Sequence, residues 1–168
     1  MRSDRLHYRP IDAASLDAFH SLVTDEHIRR CLLDGSLVSR EWSEERMRAS
    51  ESLFNRRGVG IWLAHTSISD ELVGFCGFLE LPTLHPEPQL VYALFERFVG
   101  QGLATEMARA AIEEARTKPG FEEIIAGVDD VNSASVRVLE KLGFRRISVH
   151  PGTFGTTSLM RLARRVSA

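Results

Sequence analysis

Two stretches of this 168-residue chain carry residues whose types and spacing could do chemistry. The first is Arg97-Phe98-Val99-Gly100-Gln101-Gly102-Leu103-Ala104-Thr105, where two glycines stand between an apolar run and an alanine-rich one. Glycine takes positive φ and lets another group approach the backbone closely. The first N–H groups of a helix have no intrahelical partner and carry partial positive charge. Glycines that feed a helix start therefore make a cradle for a phosphate or pyrophosphate. The same pair also serves a tight turn that binds nothing. The second stretch is Asn132-Ser133-Ala134-Ser135, in which Asn132 is placed to cap a helix running to Leu142 and stopped by Gly143.

Periodicity supplies the elements that must position these groups. Leu90 to Phe95 is an uninterrupted apolar run and reads as a buried strand leading into the glycine turn. Leu103, Met107 and Ala111 fall four apart, beside Ala104, Ala108 and Ala115, and predict a helix that ends near Lys118-Pro119-Gly120. Ile124 to Val128 is a second buried strand. Upstream, Leu6 to Pro10 reads as an edge strand closed by proline. Asp12 caps a helix bearing Leu16, Phe19, Leu22 and Val23, and a short second helix spans Glu26 to Leu33. Ser43 is the expected N-cap of a third helix, with Trp42 and Met47 as a hydrophobic staple and Gly58 as its stop. Ile61–Ala64 and Leu72–Leu81 read as a hairpin around Ser67–Asp70. Phe144–Val149 and Ser158–Ala163 read as closing strands across a Gly152/Gly155 loop.

Composition narrows the function classes. The length suits one domain over residues 1–168, and 43% hydrophobic with 26% charged residues is ordinary for a soluble globular protein. A formal charge of -2 gives no footprint for a nucleic-acid partner. The short basic clusters, Arg29-Arg30, Arg56-Arg57, Arg145-Arg146 and Arg164-Arg165, read as solvated faces. Cys31 and Cys76 are too few for a disulfide framework, and Cys76 reads as a small core residue. No apolar run reaches the ~20 residues of a membrane helix, and no signal-peptide core follows the N-terminus, so a cytoplasmic location is expected. His7, His20, His27, His65 and His150 lack a spacing such as His-Glu-x-x-His, and no metal is expected.

Among phosphate-binding patterns, a Walker A loop is absent. A dinucleotide-binding Gly-x-Gly-x-x-Gly is incomplete, because Thr105 fills the third glycine position. Arg97-x-x-Gly100-x-Gly102 instead resembles the pyrophosphate-binding signature of the GNAT superfamily of acetyl-coenzyme A-dependent N-acetyltransferases. Asn132-x-x-Ser135, followed by Glu140-Lys141-Leu142-Gly143-Phe144, resembles that superfamily's second motif, in the same order and at a fitting separation. Leu6-x-Tyr8-Arg9-Pro10 and Val73 to Gly77 resemble the ribosomal-protein N-terminal acetyltransferase branch.

The resemblance implies an α+β, three-layer fold: a mixed, mostly antiparallel central sheet with one parallel, splayed strand pair, flanked by helices. It implies acetyl-CoA as cosubstrate. Leu94 and Phe95 would offer backbone groups to pantetheine, and Arg97, Phe98, Val99, Gly100, Gln101, Gly102, Ala104 and Thr105 would surround the pyrophosphate. Asn132 would add a side-chain contact. A backbone N–H near Leu94 would polarise the thioester carbonyl. The acceptor implied is a primary amine, on a protein N-terminus or a small molecule. Many relatives use a tyrosine acid where this chain has Leu139, so Ser135 is the candidate proton donor. A glutamate common at the start of the central strand is Gln89 here, which leaves Glu87 as the candidate base, with His85 and Glu80 nearby. The first three helices and the Pro82–Pro88 loop would form the acceptor groove. Leu139 and Gln89 also motivate a competing expectation, an acyl-CoA-binding sensor without catalysis. Dimerisation is common in the family and no membrane partner is implied.

Overall fold

The computed structural model describes residues 1–163; Arg164 and Arg165, read above as a basic cluster, lie outside them. Seven strands form one sheet: β1 (Leu6–Pro10), β2 (Ile61–Thr66), β3 (Leu72–Leu79), β4 (Gln89–Leu94), β5 (Ile124–Asp129), β6 (Arg145–Gly152) and β7 (Gly155–Leu162). Their spatial order is β1-β2-β3-β4-β5-β7-β6. Every neighbouring pair is antiparallel except β4 and β5, which are parallel. Five helices accompany them: α1 (Leu16–Thr24), α2 (Glu26–Leu32), α3 (Arg40–Arg57), α4 (Leu103–Ala115) and α5 (Ser133–Lys141). No described helix is long and apolar enough to cross a membrane.

The central strands read as continuous apolar runs because both faces are covered. Along β4, Leu90, Tyr92 and Leu94 point into the core shared with α4 and α5. Val91, Ala93 and, just past the strand, Phe95 face a second core that takes in residues of α1, α2 and α3. The period-2 alternation of a strand divides the residues between the two faces. In β3, Cys76 and Phe78 lie on the first face and Phe75 on the second. Phe75 and Phe19 meet edge to face at 5.6 Å. Cys76 is fully buried, as expected of a small core residue, and burial pushes its thiol well above the usual range. Small side chains at Ala108, Ala111 and Ala115, all fully buried, let α4 lie close against the sheet.

Helix starts follow local hydrogen bonding. Asp12 caps a single 3₁₀ turn, Ala13–Ser15, that runs into α1, with a reciprocal capping box between Asp12 and Ser15. The third helix starts earlier than its sequence indicated. Ser39, not Ser43, is the N-cap, and its Oγ accepts from the Trp42 amide at 3.2 Å. Ser43 is instead buried inside the helix, with its Oγ 2.9 Å from His20 Nδ1. Trp42 therefore sits within the first turn and is no staple. Ser39→Ala should cost about 1 kcal/mol, read as a lower urea midpoint at unchanged slope. Gly58 ends α3 in the left-handed region at φ 71. Helix α4 ends at Ala115, and a turn carries the chain on to Lys118.

Candidate active site

The parallel pair holds the site. Strands β4 and β5 each have six residues, yet they share a single register pair, Gln89 with Ile125. Beyond it they part. A cleft of about 420 Å³ occupies the gap, walled by β4, by Ala126 to Asp129 of β5, and by the starts of α4 and α5. Helix α2 closes the far side through His27, Ile28, Cys31 and Leu32, together with Leu81 and Leu84 of the preceding loop. Of the three N-terminal helices, only α2 reaches the cleft.

At one end of the gap lies the glycine turn. Gly100 and Gly102 take φ of 81 and 77. A Cβ at Gly100 would meet nothing within 4 Å, and at Gly102 only Arg5 Nη2 at 3.7 Å. The amides of Phe98 and Val99 are used by the carbonyls of Phe95 and Glu96. The next six, from Gly100 to Thr105, have no protein acceptor among the described residues, and Gly102 provides no side-chain cap to α4. Arg5 braces the turn from outside. Its Nη1 donates to the Gln101 carbonyl at 2.9 Å, and it pairs with Glu106 at 2.7 Å. A row of unpartnered amides at a helix start is a site for an anion.

The strand supplies a second set. The Phe95 amide donates to the Val73 carbonyl at 3.0 Å, on the β3 side. Alternation along the strand then turns the Tyr92 and Leu94 amides towards the gap.

Tyr92 and Ser135 meet across the cleft floor. The Tyr92 hydroxyl lies 2.8 Å from Ser135 Oγ and 3.3 Å from the Ser135 carbonyl. Asn132 caps α5 by accepting from the Ser135 amide at 3.1 Å, which fixes where Ser135 stands. Burial pushes the Tyr92 phenol up to about 12, against a lowering by the Ser135 hydrogen bond, so it stays protonated through neutral pH. Leu139 is buried beneath this pair. Gln89 is fully buried at the closed end of the gap. Its Nε2 donates to the Leu81 carbonyl at 3.0 Å, anchoring the loop, while its Oε1 has no partner among the described residues.

The expected site residues separate into two groups. Leu94, Phe98, Val99, Gly100, Gly102, Ala104, Thr105, Asn132 and Ser135 all line the cleft. Phe95, Arg97, Gln101 and Glu87 do not. Phe95 has its amide engaged in the ladder and its ring packed in the second core. Arg97 stacks over Phe95 and Phe98, at 4.6 and 4.8 Å, and pairs with Glu71 at 3.1 Å. Gln101 turns its amide back to the Arg97 carbonyl. Glu87 is exposed and pairs with Arg57 at 3.1 Å, beside a separate, smaller hollow. It faces no part of the cleft, so the base expected from its nearness in sequence is not delivered there.

Comparison with known proteins settles the family. Residues 5–145 match the model of the acetyltransferase (GNAT) domain. The chain belongs to the GNAT acetyltransferase family. An uncharacterised Bacillus subtilis protein, YkkB, is 31% identical over 109 residues, covering 62% of this chain and 59% of YkkB. A GNAT-family acetyltransferase structure from Bordetella pertussis superposes with a TM-score of 0.84 at 23% identity, over 97% of this chain and 98% of that one. RimL, a ribosomal L7/L12 α-N-protein acetyltransferase solved with coenzyme A, gives 0.78 at 18% identity over 98% and 97%. Spermidine N-acetyltransferase from Vibrio cholerae, solved with CoA and spermine, gives 0.76 at 16% over 94% and 95%. The seven-stranded mixed sheet with one parallel pair is thus the GNAT fold.

Three groups in this GNAT cleft escaped sequence reading. Tyr92 looked like one more apolar strand position, and only its contact with Ser135 marks it. Asp129 ends β5 facing the cleft, and its Oδ1 accepts from the Thr157 hydroxyl. His27 faces the cleft from α2. Cys31, also in the wall, has its thiol pushed up by burial. It stays a thiol at neutral pH, whereas nucleophilic attack needs the thiolate.

Proposed function

We propose that the protein transfers an acetyl group from acetyl-CoA to a primary amine by direct attack on the thioester. The observation that carries this reading is the run of unpartnered amides from Gly100 to Thr105, next to a parted parallel strand pair. The diphosphate of the coenzyme fits the turn, where dipole and N–H groups act together. Pantetheine follows the gap, meeting the Leu94 and Tyr92 backbone. The acetyl group is then carried to the Tyr92–Ser135 pair. A Leu94 N–H at the carbonyl oxygen stabilises the charge that develops there, an effect typically worth ~2.7–4 kcal/mol per donor.

The balance of the reaction assigns the remaining roles. The amine nitrogen bonds to the carbonyl carbon and the carbon–sulfur bond breaks. The leaving thiolate takes a proton from the Tyr92 hydroxyl, which Ser135 holds in place. The amine must attack neutral, so its ammonium proton leaves first, through water to Asp129, the carboxylate in the cleft wall, and the proton that the nitrogen sheds as the amide forms returns through water to the Tyr92 phenolate. No cysteine intermediate is needed, since Cys31 stays a thiol. The acceptor enters between α2 and the Leu81–Leu84 segment. A polyamine end and a protein N-terminus both present the primary amine required, in line with the spermidine and L7/L12 acetylation in the names of the two neighbours.

Release of free thiol from acetyl-CoA, measured over polyamines and N-terminal peptides, tests the reading. Amine-dependent release is the expected result. Tight CoA binding with no release on any acceptor would overturn transfer in favour of the sensor.

A further inference from the structure

We propose that His7, His65 and Asp70 form a binding site for a divalent transition-metal ion at the β1 edge of the sheet. The two histidines are directly opposed across the β1–β2 ladder. Their rings stack 5.4 Å apart with planes 15° from parallel. Asp70, in the turn after β2, holds a left-handed φ of 56 that swings its carboxylate over the pair. One ligand atom from each of the three side chains falls within 4.8 Å of the others. The spacing in sequence hides this cluster. Strand pairing assembles it.

Two nitrogens make the case. His7 Nε2 and His65 Nδ1 are both buried and without a hydrogen-bond partner among the described residues. His7 Nε2 lies 2.8 Å from Asp70 Oδ1, an ion-pair contact into which a metal ion would insert. Buried polar atoms are rarely left unsatisfied, and an ion is one of the few accounts for those that are. Two imidazoles and one carboxylate are a zinc-type donor set. Magnesium and calcium require more oxygen ligands than the cluster offers. Tetrahedral bonds of about 2.0 Å place donors about 3.3 Å apart, so the three side chains, now within 4.8 Å, must draw together around the ion. The open fourth position is left for water.

Arg9 is the competitor. Its Nη2 lies 3.0 and 3.1 Å from the two oxygens of Asp70. An ion must share Oδ1 with that guanidinium or displace it. Removing Arg9 should therefore tighten metal binding, which a merely structural cluster would not do. None of the three residues lines the cleft, so the site stands or falls apart from acetyl transfer. A bound ion would pin the edge strand to β2 and its turn.

The test uses the full chain, stripped of metal and carrying Cys31→Ser, because Cys31 Sγ and His27 Nε2 lie 4.0 Å apart and could take zinc themselves. Zinc sulfate is titrated calorimetrically near neutral pH, and cobalt chloride is followed by its visible spectrum. The expected result is one equivalent bound, a four- or five-coordinate cobalt spectrum and a zinc-dependent rise in Tm. His65→Ala and Asp70→Asn should each abolish that equivalent, and Arg9→Ala should tighten it severalfold. Absence of the equivalent, or its survival in His65→Ala, overturns the proposal. If that variant does not fold, histidine-ring NMR of the parent chain decides: zinc must shift His7 and His65, and unmoved signals overturn the proposal.

Discussion

Gly102→Val is expected to weaken coenzyme A binding by about a hundredfold while leaving the chain folded. Gly102 sits at φ 77, and its added side chain would meet only Arg5 Nη2 at 3.7 Å. Space is therefore available, and conformation is the obstacle. A left-handed backbone costs an L-residue about 1–2 kcal/mol, and a β-branched one is a marked outlier there. The turn relieves that strain by rotating, which swings the Gly102 and Leu103 amides off the line they share. Each hydrogen bond to a charged group is worth about 1.5–3 kcal/mol. Losing one or two gives about 3 kcal/mol, or roughly a hundredfold. Gly102→Ala should fall between the two. Calorimetry with CoA measures the effect, and an affinity equal to that of the parent would remove the cradle from the mechanism.

Tyr92→Phe should lower kcat by about a hundredfold or more, the range for a positioned proton donor, with CoA affinity nearly unchanged. Phenylalanine keeps the packing of the ring and loses only the hydroxyl 2.8 Å from Ser135. Ser135→Ala should have a smaller effect in the same direction, since it frees the phenol from its partner. The sign with pH follows from the phenol being pushed up to about 12. It is protonated across the neutral and mildly alkaline range, so any alkaline fall in rate near pH 9 belongs to another group. A Tyr92→Phe enzyme with parental kcat would return Tyr92 to a packing role.

Much of this was legible from the chain, and the reasons differ between fold and site. The β4 run and the alanine stripe of α4 were clear because burial on both faces leaves no polar alternative at those positions. The glycine turn was clear because positive φ restricts the residue type. Where several hydroxyl residues compete, pattern alone failed: Ser39 and Ser43 both suit a cap, and the packing of Ser43 against His20 decides between them. The site was less legible still. Arg97 carries the charge an anion wants, but Glu71 and two aromatic rings hold it elsewhere. Nearness in sequence suggested Glu87, which instead pairs with Arg57. Tyr92, Asp129 and the His7–His65 pair depend on contacts between distant segments, which no local window contains.

The parting of β4 from β5 bears on mechanics as well as on catalysis. With a single register pair between them, the sheet is two slabs, four strands on one side and three on the other, coupled mainly through shared side-chain packing. Whatever lodges in the seam acts as mortar. Occupancy and rigidity are then expected to rise together, and hydrogen exchange along β4 and β5 should slow when coenzyme A is added.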